Sequence, residues 1–198
     1  MFSKIISTLI IFLIISFSNI IKVYSIEADI FIQSTVNRAS EALNDKFSKE
    51  EKMLKLKAIA KETVDIAGIG FYTLGTYRKN ITNDQKKEYS NLFEQYFLKT
   101  FASRLSEYSN PEIEVTSKEK LNQNYTMVSS ILVATDQRPE VKVNWRVYTK
   151  NPDNPLIRDL IIEGLSLVRT QKEEFSSIIE SNDGDINALF STLKEFIK

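Results

Sequence analysis

Residues 82–118 read TNDQKKEYSNLFEQYFLKTFASRLSEYSNPEIEVTSK, and the spacing of their apolar residues changes at Pro111. Before Pro111, apolar side chains recur every three or four residues, which predicts an amphipathic helix over residues 82–108. Thr82 and Gln85 form a capping box at the start of this helix. The helical stripe contains Tyr89, Leu92, Phe93, Tyr96, Phe97, Phe101, Leu105 and Tyr108. After Pro111, apolar and polar residues alternate, which predicts that β-strands follow.

The alternating pattern continues to residue 168 and predicts four antiparallel strands. These strands cover residues 112–118, 125–135, 141–149 and 156–168, and turns rich in Asn, Asp and Pro separate them. In the third strand, one face carries Val141, Val143, Trp145 and Val147, and the other carries Lys142, Asn144, Arg146 and Tyr148. One apolar and one polar face are typical of an antiparallel meander with a single buried side.

Helices are predicted before and after this meander. The apolar period indicates a first helix over residues 29–47, and a capping box of Ser48 and Glu51 opens a second helix. Residues 66–77 hold three of the five glycines, which predicts a bend or a tightly packed helix. The two closing helices are predicted over residues 170–181 and 185–198. This order predicts an α+β domain, an antiparallel four-stranded curved sheet with helices packed on one face.

Residues 1–25 have the composition of a secretory signal peptide. They contain Lys4 and Lys22 but no acidic residue, and residues 5–21 form a nearly unbroken apolar run. We predict cleavage after Ser25, which leaves residues 26–198 as a single domain. The alternative is a retained membrane anchor, but a run of 17 residues is shorter than the roughly 20 residues that span a bilayer.

The chain has 26 basic and 26 acidic residues, no histidine and no cysteine. It therefore lacks a thiol nucleophile, an imidazole base and the nitrogen and sulfur ligands of ordinary zinc sites. Zero net charge argues against a protein that binds nucleic acid through its phosphates. We therefore predict a binding or carrier domain with no catalytic residue, no metal site and no cofactor.

Four short segments have a distinctive order and spacing. They are LGTY at residues 74–77, TNDQ at 82–85, TFASRL at 100–105 and, most specifically, EGLSLV at 163–168 followed by Phe175. Together they resemble the MlaC family, the periplasmic phospholipid-binding components of the Mla lipid-transport system, also called toluene-tolerance proteins. The chain departs from the family pattern at Arg78-Lys79, at Gln171-Lys172 and at residues 154–157. These departures bear on partner contacts more than on lipid binding.

The resemblance implies a soluble, monomeric periplasmic phospholipid carrier. Such a carrier shuttles lipid between an outer-membrane lipoprotein–porin complex and an inner-membrane ABC transporter that bears an MCE protein, and so maintains outer-membrane lipid asymmetry. The family fold, an NTF2-like cone plus a helical part, would supply the deep apolar cavity that such a carrier needs. Exposing an acyl chain of about 16 carbons to water costs a free energy of about 12 kcal/mol. The predicted lipid-binding wall is Leu74, Phe93, Phe97, Phe101, Leu105, Ile131, Val143, Trp145, Val147, Ile162 and Val168.

Two acidic residues keep an enzymatic alternative open. Glu163 interrupts an apolar run, and a buried carboxylate needs a partner such as Arg78, Arg104 or Arg169. Structural pairing is the favoured interpretation, but Glu163 or Asp159 could serve an envelope enzyme at the mouth of an NTF2-like cone. A third hypothesis is an envelope interaction protein in which the aromatic stripe is entirely core packing.

Overall fold

The computed structural model of this protein describes residues 26–136 and 138–198, so the predicted signal peptide lies outside the described residues. The first half contains four helices, α1 (Ala28–Ala42), α2 (Lys49–Thr63), α3 (Ile66–Thr73) and α4 (Asn83–Leu105), with a 3₁₀ turn at Tyr77–Lys79. The second half contains β1 (Ile113–Lys120), β2 (Tyr125–Leu132), β3 (Val141–Tyr148), β4 (Leu156–Ile162) and β5 (Leu165–Ser166), followed by α5 (Leu167–Glu180) and α6 (Ile186–Ile197). The predicted α+β class is confirmed.

The sheet has five strands, so the prediction of four strands is wrong. All neighbours are antiparallel, in the order β1-β2-β3-β4-β5. The predicted strand over residues 156–168 is interrupted at Glu163 and Gly164, whose φ angles are 48° and 84°. This left-handed pair reverses the chain direction, so that Leu165 of β5 pairs with Ile162 of β4.

One face of the sheet, which we call the α1 face, packs against α1. Val128, Val147 and Ile157 lie on this face and are at most 6% exposed. The core of this region contains Ala28, Ile32, Val36, Val128, Val147 and Ile157. Because side chains alternate along a strand, the residues between them lie on the opposite face, which we call the polar face.

The helices share a separate apolar core. This core joins α3, α4, α5 and α6, and it contains Ile69, Leu74, Tyr89, Leu92, Phe93, Phe175, Ile179, Ile186, Leu189, Phe190 and Leu193. We call it the helical core. Its buried hydroxyls are paired, since the Tyr89 phenol oxygen lies 2.8 Å from Thr73 Oγ1. A smaller cluster of Ala42, Leu43, Leu56, Ile59 and Ala102 joins α1, α2 and α4.

Local signals in the sequence account for the helix starts and for α3. The capping boxes of Ser48 with Glu51 and of Thr82 with Gln85 are both formed, as predicted. The glycine cluster yields a tightly packed helix, which confirms one of the two predicted outcomes. A Cβ atom at Gly70 would lie 2.6 Å from a ring carbon of Phe93, so α3 approaches α4 more closely than a larger residue permits.

Helices border both faces of the sheet. The sequence pattern had predicted helices on one face only. α1 covers the α1 face, whereas α3 and the start of α5 stand beside β4 at the polar face. The physical reason lies in β4, where Ile157 is 6% exposed on one face and Asp159 is 3% exposed on the other. Val64 forms a parallel bridge with Ile157, which fastens the α2–α3 junction to the sheet.

Candidate functional site

A cleft of about 380 Å³ lies between the polar face, α3 and the start of α5. Apolar side chains, two phenols, two arginines and several other polar groups meet in it. Its lining residues are Gly68, Ile69, Tyr72, Leu121, Asn122, Tyr125, Arg146, Arg158, Asp159, Ser166 and Val168. This mixed lining distinguishes the cleft from the all-apolar cores on either side of it.

Asp159 organises one wall of the cleft. Its carboxylate accepts hydrogen bonds from the Ser166 hydroxyl at 2.7 Å and from the Val168 backbone N–H at 3.3 Å. Ser166 in turn accepts a hydrogen bond from the Arg169 N–H as the N-cap of α5. An anionic side chain at this position also interacts favourably with the helix dipole. Asp159 therefore fixes where α5 begins relative to β4.

Arg158 organises a second part of the cleft lining. A register shift in the β3–β4 ladder leaves Arg158 outside the regular pairing. Its guanidinium donates to the Asp65 carboxylate at 2.6 Å and to the Tyr125 phenol at 2.9 Å, and it lies over the Tyr148 ring. Burial lowers the pKa of Arg158, but Tyr125 and Asp65 outweigh this effect and raise it above its ordinary value. Arg158 therefore stays charged, and contacts with Asp65, Tyr125 and Tyr148 hold its guanidinium in place.

Asp65 connects Arg158 to α3. It is the N-cap of α3, and its carboxylate accepts a hydrogen bond from the Gly68 N–H at 2.9 Å. A Cβ atom at Gly68 would lie 2.3 Å from a carboxylate oxygen of Asp65. Glycine at position 68 therefore leaves the space in which Asp65 bonds to both α3 and Arg158.

Arg146 is the charged group of the cleft that still has hydrogen-bond donors available for a ligand. Its side chain is 43% exposed, and its guanidinium lies 3.6 Å from Asp159, whose oxygens already accept two other hydrogen bonds. A guanidinium has five N–H donors suited to carboxylate or phosphate oxygens. The cleft therefore offers a cation to an anionic group and the apolar side chains of Ile69 and Val168 to a hydrocarbon.

The predicted wall residues on the helices lie mainly in cores. Leu74 and Phe93 are 1% and 2% exposed within the helical core, and Phe97 packs against that core. Phe101 and Leu105 pack against the smaller cluster that joins α1, α2 and α4. The rings of Phe97 and Phe101 are stacked, with centroids 5.8 Å apart. None of these five residues lines the cleft.

The predicted wall residues on the sheet are divided between its faces. Val143, Trp145, Val147 and Ile162 lie on the α1 face, as the register with β2 and β4 requires. Ile131 pairs with Lys142 and so lies on the polar face. Val168 alone of the eleven predicted residues lines the cleft. The structure thus distributes the predicted wall over two helical clusters, both faces of the sheet and the cleft.

Glu163 is not the buried carboxylate that the sequence suggested. It is exposed at the β4–β5 turn, where its carboxylate accepts a hydrogen bond from the Lys142 backbone N–H at 2.6 Å. None of the expected arginine partners bonds to it. Sequence reasoning missed Arg146, Arg158 and Tyr125. Strand alternation assigned Arg146 to the solvated face, and no sequence signal singled out Arg158 or Tyr125.

Residues 26–136 and 138–198 contain neither a cluster of metal ligands nor a candidate membrane span. In these ranges no group of three or more acidic side chains is placed to hold a metal ion. Likewise, no helix within them combines the length and the apolar content needed to cross a bilayer.

The fold is shared with a protein of known ligand. A phospholipid-binding protein from Ralstonia solanacearum, solved in complex with a phospholipid, matches with a TM-score of 0.72 and 19% sequence identity. The alignment covers 86% of this chain and 97% of that chain. Comparison with curated protein sequences gives no significant match. The described residues therefore share the α+β fold of that protein.

The family follows from the sequence itself. A model of the family described as MlaC protein matches residues 33–195, which is most of the chain. This protein belongs to the MlaC family, and the resemblance seen in the short sequence segments is confirmed.

Proposed function

We propose that this protein binds phospholipid and carries it through the periplasm, between an outer-membrane lipoprotein–porin complex and an inner-membrane ABC transporter with an MCE protein. The observation that carries the proposal is family membership over residues 33–195. The mixed chemistry of the cleft supports it, because a phospholipid needs both apolar contacts and a cation. In this proposal the phosphate contacts Arg146, and the acyl chains extend past Ile69 and Val168.

Binding of two acyl chains requires a wider cleft. A volume of about 380 Å³ is near the lower end of the range of about 300–1,000 Å³ for sites of drug-sized ligands. We therefore propose that α3 and the start of α5 separate from the polar face as lipid enters. The apolar wall predicted from the sequence, from Leu74 to Val168, would become accessible to the chains to the extent that this separation reaches it.

The alternative of an acidic catalyst receives less support. Asp159 is held by Ser166 and Val168, and Glu163 is held by Lys142 at an exposed turn. Both carboxylates thus have hydrogen bonds that stabilise the fold. A carrier needs only a difference in lipid affinity between its docking partners, so we propose a non-enzymatic role.

Mass spectrometry of the gently purified mature protein tests the proposal. We expect phospholipid to co-purify and to be taken up from vesicles by lipid-free protein. Leu121 lines the cleft and is 43% exposed, so Leu121→Asp should lower lipid occupancy without unfolding the protein. Leu54→Asp is the matched control, because Leu54 is 73% exposed on α2 and does not line the cleft.

Recovery of protein without phospholipid, together with no uptake from vesicles, would refute the carrier proposal. Equal lipid occupancy of Leu121→Asp and Leu54→Asp would instead refute the placement of the lipid in the cleft. Thermal unfolding of both variants checks that the folded fraction is unchanged.

A further inference from the structure

Two exposed aromatic rings and three cations form one surface patch beside the cleft. Phe71 and Tyr72, at the end of α3, are 39% and 44% exposed. Lys86 Nζ lies 4.8 Å and Arg78 Cζ 5.6 Å from the Phe71 ring centroid, and Lys172 Nζ lies 5.7 Å from that of Tyr72. We call these five residues the aromatic–cationic patch.

Within residues 26–136 and 138–198, no acidic side chain forms an ion pair with the cations of this patch. Ion pairs hold other basic side chains of the described residues, such as Lys61 with Glu94 and Lys194 with Glu88. None is formed by Arg78, Lys86 or Lys172 among the residues that the structure describes. Residues 66–87 contain four basic residues and one acidic residue, within a chain of zero net charge. The patch is therefore a local excess of positive charge.

The patch is continuous with the cleft through Tyr72. This side chain lines the cleft and also lies under Lys172. A groove of about 630 Å³ between α3 and α4 runs along the other side of the patch and includes Lys86 and Lys87. Any surface that contacts the patch is thus brought to the mouth of the cleft.

We propose that the aromatic–cationic patch docks this protein, weakly and reversibly, onto a membrane surface rich in anionic phospholipid. Lys and Arg side chains reach phosphates while their aliphatic stems and the neighbouring rings stay in the apolar part of the interface. Aromatic residues beside basic ones are typical of proteins that lie on membranes. In the docked orientation, the mouth of the cleft faces the lipid headgroups.

The composition of the patch favours a bilayer over a protein partner. A specific protein interface buries about 800 Å² on each partner around a well-packed apolar centre. The patch has only two partly exposed rings, each with a cation beside it. Charge complementarity to a fluid anionic surface needs no matching shape, and basic residues near such a surface add attraction individually.

Sedimentation with vesicles tests this proposal. Mature protein is mixed with vesicles of phosphatidylcholine alone or of phosphatidylcholine with phosphatidylglycerol. We expect binding to the anionic vesicles only, and its loss at high salt because surface charges are then screened. Replacing Arg78 and Lys86 by glutamate should lower the partition coefficient by at least about 25-fold, from about fivefold for each cation removed.

A second cation pair provides a matched control. Lys46 and Lys55 lie 4.9 Å and 4.4 Å from the ring centroid of Phe47, away from the cleft. The Lys46→Glu, Lys55→Glu double variant therefore makes the same change in net charge at another cation–aromatic contact. We expect it to retain anionic vesicle binding, and circular dichroism of both double variants establishes that each is folded.

Three outcomes would overturn the membrane assignment. They are the absence of wild-type binding to anionic vesicles, equal binding to both kinds of vesicle, and equal loss in the two double variants. In the first outcome, capture of an acidic envelope protein by wild type but not by Arg78→Glu, Lys86→Glu would identify a protein partner instead. Vesicle sedimentation is separate from lipid occupancy, so this proposal and the carrier proposal fail independently.

Discussion

The helical core and the cleft lie next to each other but differ in side-chain chemistry. The helical core is apolar, and its aromatic rings contact each other, as in the edge-to-face pair of Phe93 and Phe175. The cleft has a polar frame, in which Asp65, Arg158 and Asp159 tie helix starts to β4. The comparison indicates that apolar packing stabilises this domain, whereas a few charged groups determine the geometry of its candidate lipid site.

The largest expected effect tests the helical core. Phe93→Ala should lower the free energy of unfolding by about 3–5 kcal/mol, because it removes a buried ring and leaves a cavity. Phe196→Ala is the control, since Phe196 is 45% exposed. Urea denaturation measures both variants. If Phe93→Ala lost lipid but kept its stability, Phe93 would be a cavity wall and the comparison would fail.

The next effect tests the frame of the cleft. Asp159→Ala should lower the free energy of unfolding by about 2 kcal/mol, because it removes a buried carboxylate and leaves the partly buried donors of Ser166 and Val168 without their acceptor. Asp153→Ala, at an exposed turn, should leave stability unchanged. Denaturation and lipid occupancy are measured together. A stable Asp159→Ala protein with normal occupancy would mean that the polar frame does not shape the site.

A third prediction concerns alkaline pH and distinguishes the two regions by titration. Burial raises the pKa of Tyr89 in the helical core, and the hydrogen bond with Thr73 opposes this only in part. The unfolded phenol titrates near pH 10. The folded state therefore holds the Tyr89 proton more tightly than the unfolded state does. The resulting contribution to the free energy of unfolding is fully present below about pH 10. Above that pH it falls by up to about 1.4 kcal/mol per pH unit. Denaturation curves at several alkaline pH values measure this slope.

Tyr89→Phe should remove part of that slope. Tyr96, whose pKa burial also raises, contributes to the remainder. Between about pH 6 and pH 9 we expect stability to be flat, because the chain has no histidine. A steep dependence in that range would point to a titrating group outside the helical core.

The smallest expected effect concerns the surface. Lys118 of β1 bonds to Glu27 at 2.6 Å and to Asp29 at 2.8 Å, which links the start of α1 to the sheet. Exposed ion pairs contribute little to stability, so Lys118→Met should leave the denaturation midpoint unchanged at physiological salt. A clear shift in that midpoint would mean that charge supports the α1 face as it supports the cleft.

Local signals made the helices predictable, whereas the cleft depends on pairing between distant residues. The capping boxes and the stripe of α4 are encoded within a few residues of each other. The periodic pattern identifies which side chains are buried, but not which core they enter, so Val143 and Phe93 were assigned to one wall although they lie in different regions. The β4–β5 turn was missed because Glu163 has a positive φ, which is uncommon for a residue with a side chain.

The arginines of the cleft were missed for a related reason. Arg146 and Asp159 face each other only through the register of β3 and β4. Alternation alone places an arginine on the polar face of a strand in solvent, and it gives no sign that helices will border that face. Only the tertiary arrangement of α3, α5 and β4 turns these residues into a cleft.

The rim of the cleft also constrains how this protein should be produced. Asn122 and Tyr125 line the cleft, and between them Asn124 is exposed at the β1–β2 turn. Asn124-Tyr125-Thr126 is an acceptor sequence for N-linked glycans. A yeast or insect secretion host could therefore attach a bulky sugar chain at the cleft opening. Bacterial expression, or an Asn124→Gln variant, keeps that opening clear.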